Sequence, residues 1–195
     1  MKIGLISDTH IPGGATTIPD QVYKAFDGVD LILHAGNIYI PSVLDCLEQI
    51  APVRAVGSTD PDHPERRLQF SMEGQGDPRV KPEDIFQLEG HTIGLVHNLQ
   101  LRGMSDEIRP GIIANHKLPE GAITEMVTQF FDTPVDIAIF GRTCYGTIEI
   151  HEEILFINPG SPTLPRNLRK LGNVAVLDLT PDAKVARLIE LSDLI

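Results

Sequence analysis

Short apolar runs alternate with longer amphipathic stretches along most of the chain. The apolar runs cover residues 2–7, 31–33, 53–56, 92–96 and 135–140, and each stops at a polar or glycine-containing cluster. Runs of this length predict buried β-strands, because helices generally need about ten residues or more. The helix-like stretches between them cover residues 19–26, 42–49 and 120–131. This alternation predicts βαβ crossovers and a mostly parallel sheet.

The C-terminal part of the sequence has a different pattern. Residues 147–150 and 154–157 flank a short polar link, and residues 173–179 and 185–191 flank the sequence Thr-Pro-Asp. Paired apolar segments with short polar connections are typical of β-hairpins. We therefore expect antiparallel strands to be added to the parallel sheet in this part of the chain.

Composition narrows the class of protein. The chain has 195 residues, of which 42% are hydrophobic, and this predicts one compact domain over residues 1–195. The proline-rich residues 60–82 predict a long surface loop. No window reaches the ~18 apolar residues of a membrane span, and the apolar start is too short for a signal peptide, so we expect a cytoplasmic protein without membrane association. The net charge of −11 predicts that the chain does not bind long nucleic acid.

The first apolar run ends in residues that can hold a cation. Asp8 and His10 are two positions apart, so their side chains point to the same face at the end of a strand. A carboxylate and an imidazole at the carboxyl end of a parallel strand are well placed to bind a divalent metal. The alternative is a simple turn in which Asp8 and Thr9 cap the following segment.

Other strand ends carry polar groups as well, and this favours a site. Because several loops converge on one edge of a parallel sheet, we expect a functional site at that edge. The groups concerned are Asp8 with His10, residues 34–37, residues 57–60, His97 with Asn98, and residues 141–144.

The order of these groups resembles that of the calcineurin-like metallophosphoesterases. The motifs read Ser7-Asp8-Thr9-His10, His34-Ala35-Gly36-Asn37, Gly57-Ser58-Thr59-Asp60, Val96-His97-Asn98 and Gly141-Arg142-Thr143-Cys144. Asn158-Pro159-Gly160-Ser161 followed by Pro165-Arg166 is similar to the tail motif of the small bacterial phosphodiesterase branch, which includes the retromer subunit of the same fold. The resemblance implies an α/β four-layer α-β-β-α sandwich with a two-metal centre that hydrolyses phosphate monoesters or diesters.

The resemblance also implies ligands and catalytic residues. The first metal would be held by Asp8, His10, Asn37 and Cys144. The second metal would be held by Asn37, Ser58, His97 and Arg142. The catalytic residues would be Asp8, His10, Asp60 and His97. The family prefers Asp, Asn, His and His at the four positions that are occupied here by Asn37, Ser58, Arg142 and Cys144.

These replacements change the electrostatics of the site. Two dications about 4 Å apart repel by roughly 16 kcal/mol at an effective dielectric of 20, and a bridging carboxylate normally offsets this. Asn37 is neutral and Arg142 is a permanent cation, so we predict that Ser58 and Arg142 bind no second metal. We expect at most one divalent ion, manganese or zinc, or none.

Two residues keep alternative interpretations. Cys144 is a competent zinc ligand, but a free cysteine is also commonly a small buried residue. Arg142 could bind a phosphate or carboxylate through two hydrogen bonds, or it could form a salt bridge with Asp8 or Asp60.

Three functions therefore remain open on the sequence alone. The first is a phosphoesterase-family protein with an eroded centre, weakly active or inactive. The second is a non-catalytic module that binds a small phosphate-containing or other anionic ligand, or a protein partner. The third is a phosphodiesterase that uses one metal held by Asp8, His10 and Cys144.

Overall fold

The computed structural model describes residues 1–57, 77–163 and 170–194, and the strands in these residues form two sheets. The first sheet contains, from edge to edge, β11 (Ala183–Glu190), β10 (Asn173–Thr180), β1 (Lys2–Ile6), β2 (Leu31–His34), β3 (Val53–Val56) and β4 (Val80–Lys81). The second sheet contains β5 (Glu83–Leu88), β6 (His91–Val96), β7 (Ile137–Ile139), β9 (Ile154–Asn158) and β8 (Thr147–His151).

Strand directions agree with the sequence pattern. Strands β1, β2, β3 and β4 are parallel to one another, as are β6, β7 and β9 in the second sheet. The two predicted hairpins, β8 with β9 and β10 with β11, are antiparallel. The helices are α1 (Asp20–Ala25), α2 (Ser42–Glu48), α3 (Ile112–Asn115) and α4 (Ala122–Phe131), and a 3₁₀ helix covers Leu191–Asp193. Among the described residues, no helix combines the length and the apolar character that a bilayer span requires.

The core has three layers, one between the two sheets and one between each sheet and its helices. Alternating side chains of a central strand belong to different layers. In β1, Ile3 and Leu5 pack between the two sheets, whereas Ile6 packs under α1 and α2. In β6, Leu95 faces the other sheet and Val96 packs under α3 and α4. Because the central strands are buried on both faces, they consist of nearly continuous apolar residues. The predicted α-β-β-α sandwich is confirmed.

A glycine in each central strand lets a helix approach its sheet closely. A Cβ atom at Gly4 would lie 3.0 Å from the ring of Phe26, and one at Gly94 would lie 2.7 Å from the ring of Phe131. Each phenylalanine follows or ends a helix on the outer face of its sheet. In both halves of the sandwich, a strand glycine thus leaves room for a phenylalanine ring from the helix side.

The region before β6 differs from the sequence-based prediction. The predicted loop over residues 60–82 contains the short strand β4, and residues 60–76 of it lie outside the described residues. Strand β5 was not predicted, because its polar positions hide the usual alternation. Asp84 is the buried residue of this strand, with 4% of its surface exposed. An apolar pattern cannot reveal a strand whose inward side chain is a carboxylate.

The carboxylate of Asp84 connects the edges of the two sheets. Arg54 Nε on β3 donates to Asp84 Oδ2 at 2.7 Å, and Lys81 Nζ on β4 donates to Asp84 Oδ1 at 2.8 Å. The Arg54 guanidinium also lies 4.0 Å from the centroid of the Phe86 ring. Burial would raise the pKa of Asp84, but the hydrogen bonds and charges of Arg54 and Lys81 outweigh it and lower the pKa below its ordinary value.

We predict that Asp84→Asn lowers the free energy of unfolding by about 2 kcal/mol at neutral pH, because two cations lose a buried anionic partner. The matched control is Asp178→Asn, since Asp178 on β10 pairs with Arg187 on β11 and both side chains are about half exposed. That variant should change stability by less than about 1 kcal/mol. Urea unfolding of both variants measures the difference, and equally small losses would contradict the role of Asp84.

The comparison of wild type with Asp84→Asn also predicts how the free energy of unfolding depends on pH. The pKa of Asp84 is lowered in the folded state, so its contribution is fully present above the ordinary aspartate pKa of about 4. It is lost as the pH falls through the lowered folded pKa. The stability gap between wild type and Asp84→Asn should therefore narrow below about pH 4.

Candidate metal and anion site

Loops from both sheets meet at the carboxyl ends of the parallel strands. The Asp8 amide after β1 donates to the Gly36 carbonyl oxygen after β2 at 2.9 Å. The Gly141 amide after β7 donates to the His97 carbonyl oxygen after β6 at 3.0 Å. His97 Nδ1 then donates to the Ala35 carbonyl oxygen at 2.7 Å, which joins the two sheets. The predicted site residues Ser58 and Asp60 lie outside the described residues.

Two glycines make this junction between the sheets possible. A Cβ atom at Gly36, whose φ is +94°, would lie 2.4 Å from His97 Nδ1. One at Gly141 would lie 2.6 Å from the Ala35 carbonyl oxygen and 2.9 Å from Asp8 Oδ2. Any larger residue at these positions would push the loops apart.

The site residues have an unusual backbone conformation. Five predicted site residues have a positive φ although none is a glycine, namely Asp8 (51°), His10 (47°), Asn37 (59°), Arg142 (69°) and Cys144 (59°). This left-handed region costs an ordinary residue about 1 kcal/mol or more. Strain of this kind persists where the surrounding structure enforces it, and it is concentrated at functional sites.

Three potential metal ligands lie together in the site. One ligand atom each from Asp8, His10 and Cys144 lies within 4.8 Å of the other two. Asp8 is buried, whereas His10 and Cys144 are half-buried. His10 Nδ1 donates to the Asp8 carbonyl oxygen at 2.7 Å, which leaves Nε2 as the atom with a lone pair. A carboxylate, an imidazole nitrogen and a thiol sulfur form a donor set that fits a divalent metal such as zinc.

Asn37 lies between two of these ligands. Its side-chain nitrogen donates to Asp8 Oδ1 at 2.7 Å and lies 3.3 Å from His10 Nε2. The amide therefore presents hydrogen atoms, and not a lone pair, to the cluster. Rotation of the amide by half a turn would present the oxygen to a cation instead.

His97 is part of the site but not of the three-ligand cluster. Within the described residues, no group of three His, Cys, Asp or Glu ligand atoms at the same spacing includes His97. Its Nδ1 atom is engaged by Ala35, so Nε2 is the ring atom that remains for a proton or a ligand. Of the residues expected for the first metal, Asp8, His10 and Cys144 thus form a cluster that does not include His97.

His34 is a neutral imidazole behind the site. It is fully buried, and burial together with the neighbouring His97 and His10 lowers its pKa to about 3. The Gly36 amide donates to His34 Nδ1 at 3.1 Å, which places the ring proton on Nε2, 3.4 Å from Thr9 Oγ1. Thr9 Oγ1 also donates to the Asn37 carbonyl oxygen at 3.1 Å. His34 therefore positions the loop that carries Asn37.

Residues 158–161 support the site from the other side. Asn158 Nδ2 donates to the Gly141 carbonyl oxygen at 2.8 Å, and Ser161 Oγ donates to the Asp8 carbonyl oxygen at 2.7 Å. Ser7 Oγ lies 2.9 Å from Asp8 Oδ2 and 2.7 Å from the Gly160 carbonyl oxygen. The Asn-Pro-Gly-Ser motif is part of the family resemblance, but the sequence does not predict its contacts with both site loops. Pro165 and Arg166 lie outside the described residues.

Arg142 forms an ion pair with a residue that the sequence did not indicate. Its Nε atom lies 3.3 Å from Glu107 Oε1, and Glu107 Oε2 lies 2.7 Å from Arg109 Nη2. The hydrogen bond from Arg109 and the charges of both arginines lower the pKa of Glu107. The sequence predicts a salt bridge of Arg142 with Asp8 or Asp60. The structure adds the pair with Glu107, and Asp60 lies outside the described residues, so that the predicted alternative stays a prediction.

Comparison with solved structures shows a shared fold. A single-mutant structure of Vps29 from Entamoeba histolytica has a TM-score of 0.65 at 19% identity, covering 97% of this chain and 99% of that chain. Wild-type Vps29 of the same organism, complexed with Zn²⁺, has a TM-score of 0.62 at 18% identity, covering 98% and 99% of the two chains. A novel archaeal phosphodiesterase has a TM-score of 0.61 at 18% identity, covering 97% and 99%.

Sequence comparison identifies the family, whereas the solved structures show only the fold. A probable metallophosphoesterase of Methanothermobacter thermautotrophicus is 34% identical over 166 residues, which are 85% of this chain and 80% of that protein. Residues 1–182 match the calcineurin-like phosphoesterase superfamily domain, which agrees with the order of motifs and with the sandwich fold. The chain therefore belongs to the calcineurin-like phosphoesterase superfamily.

Proposed function

We propose that this protein is a phosphoesterase-family protein whose two-metal centre is reduced to a single metal site, with weak hydrolysis of phosphate esters. The observation that supports the proposal is the proximity of Asp8, His10 and Cys144, whose ligand atoms lie within 4.8 Å of one another. Three protein ligands with an open coordination position are typical of catalytic zinc sites. The cysteine thiolate favours zinc over manganese because it is a soft ligand.

Charge supports one metal over two. Asp8 is the carboxylate of the three-ligand cluster, and the side chain beside it, Asn37, is a neutral amide. The family resemblance assigns the position of Arg142 to the second metal, and this side chain is a permanent cation. Without a bridging carboxylate, the repulsion between two adjacent dications is not offset.

Arg142 and His97 have separate roles in the proposed hydrolysis. Arg142 carries a fixed positive charge that can hold a phosphate oxygen through a charge-assisted hydrogen bond. His97 has Nδ1 engaged by Ala35, so its Nε2 atom can accept or donate a proton. A bound divalent ion would polarise the phosphate and lower the pKa of water. Asp60, which the family resemblance assigns to catalysis, stays a prediction.

One of the structures with the same fold also favours zinc as the metal. The wild-type Vps29 structure from Entamoeba histolytica is a complex with Zn²⁺.

A second candidate function is a non-catalytic protein-interaction module. It is favoured by exposed apolar side chains on the outer strands β8 and β11, namely Ile150, Val185 and Leu188. Both functions are compatible with one bound ion, so turnover distinguishes them.

We predict about one zinc per chain when untagged protein is loaded with the metal, dialysed and measured by elemental analysis. Cys144→Ala should reduce the bound metal severalfold, because it removes one of three ligands. The matched control is Cys46→Ala, since Cys46 is the other free cysteine and lies on α2 away from the cluster. Two ions per chain would contradict the proposal, as would equal metal content in both variants.

Hydrolysis of bis-p-nitrophenyl phosphate should be slow and metal-dependent, and Asp8→Ala should abolish it because Asp8 is the buried carboxylate of the cluster. Wild-type protein that binds one ion without any turnover would favour the interaction module.

We further predict that Asn37→Asp raises the affinity for the metal by tenfold or more. The new carboxylate would lie beside Asp8 Oδ1, where the amide now donates a hydrogen bond at 2.7 Å, so the two negative charges repel until a cation binds. The metal-free variant should therefore melt below wild type, and metal should stabilise it more. The control is Asn115→Asp, the same change on the exposed surface of α3. Calorimetric titration and melting measure both effects, and an unchanged affinity would contradict the assigned role of Asn37.

A further inference from the structure

Tyr39 lies beside one of the three cluster ligands, although no sequence motif indicates it. Its ring centroid is 5.4 Å from that of His10, and the two ring planes meet at 84°. A Cβ atom added at Gly13 would lie 3.7 Å from Tyr39 Cε2, so the same ring also lies close to the turn that follows His10. A side chain from the loop after β2 thus packs on the loop after β1, which carries two of the ligands.

The backbone of Tyr39 has a conformation that is unusual for a bulky residue. Its φ is +68°, in the left-handed region, and Asn37 two positions earlier has a φ of +59°. Between them, Ile38 is buried and anchors the segment in the core under α1 and α2. A glycine adopts a positive φ freely, whereas a side chain adopts it at a cost. Strain that is retained at a site residue suggests that its side chain has a role there.

The His10 ring has one hydrogen bond that sets its orientation. Its Nδ1 atom donates to the Asp8 carbonyl oxygen at 2.7 Å, which fixes one edge of the imidazole. Its Nε2 atom, which carries the lone pair, lies 3.3 Å from Asn37 Nδ2. A hydrogen bond at one nitrogen leaves the ring plane able to tilt about that bond. A second ring at nearly a right angle restricts this tilt.

We infer that Tyr39 is a positioning residue of the metal site. Its ring holds the His10 imidazole in the orientation in which Nδ1 donates to the Asp8 carbonyl oxygen and Nε2 stays available to a metal. This inference rests on the proposed function, because the orientation of His10 affects metal affinity only where the single-metal site exists. Aromatic pairs of this geometry are stabilising enough to change an affinity about twofold to tenfold.

Calorimetric titration of the metal-free protein with zinc tests the inference through two substitutions at one position. Tyr39→Leu removes the ring and should weaken zinc binding about threefold to tenfold. Tyr39→Phe keeps the ring and should bind zinc within about twofold of wild type. The matched control is Tyr23→Leu, since Tyr23 on α1 is half-buried like Tyr39 and packs on the same core.

The control should leave zinc affinity unchanged even where it lowers the melting temperature. Equal weakening of zinc binding by Tyr39→Leu and Tyr23→Leu would overturn the inference. A loss in Tyr39→Phe as large as that in Tyr39→Leu would overturn it as well, because the ring contact would then not be the cause.

A second readout needs no metal. Long-range ¹H–¹⁵N NMR spectra show which ring nitrogen of a histidine carries the proton, and at about pH 8.5 an ordinary imidazole is neutral. In metal-free wild type, His10 should carry its proton on Nδ1, as the hydrogen bond to Asp8 requires. Tyr39→Leu should show a mixture of both tautomers, whereas Tyr39→Phe and Tyr23→Leu should not. The spectrum of His10→Gln assigns the signals.

The two readouts distinguish failure of this inference from failure of the proposed function. If wild type binds no zinc, the single-metal site is contradicted, and the tautomer of His10 still tests the role of Tyr39. If Tyr39→Leu binds zinc as tightly as wild type and keeps a single tautomer, the metal site stands and the positioning role of Tyr39 is contradicted.

Discussion

The chemistry that we propose for this site depends above all on the hydrogen bond from the Asn37 amide to the Asp8 carboxylate. A two-metal centre needs negative charge between its ions, because two dications at close range repel strongly. Here the side chain beside Asp8 is the neutral amide of Asn37, and its nitrogen donates a hydrogen bond to Asp8 Oδ1 at 2.7 Å. We propose that this arrangement keeps the loops in place without metal and favours one bound ion over two.

The rest of the site is built to keep these loops in strained positions. Asp8, His10 and Cys144 all have positive φ values, and the surrounding contacts enforce them. His34 and Ser161 fix the backbone from opposite sides, through Thr9 and through the Asp8 carbonyl oxygen. These supports are hydrogen bonds between protein groups, so they do not depend on which metal ligands the site contains. Retention of the fold is thus compatible with a reduced centre.

The hydrophobic pattern predicts the central strands, because each is an apolar run followed by a polar loop, whereas the division into a sandwich of two sheets comes from the family resemblance. It also indicates which of those loops meet, since parallel strands deliver their carboxyl ends to one edge. It does not reveal Glu107, because a partner of Arg142 thirty-five positions away leaves no local pattern. It does not reveal β5 either, since the buried residue of that strand is Asp84. Long-range charge pairing depends on tertiary packing, and periodicity contains no information about it.

The central claim is that the site holds one divalent ion and not two. Anomalous diffraction from crystals of the untagged protein soaked in a zinc salt tests it most directly. We expect one peak in the site, within bonding distance of the Cys144 sulfur and of the Asp8 carboxylate, at about 2.0–2.3 Å. Two peaks about 4 Å apart, with Asn37 between them, would contradict the account.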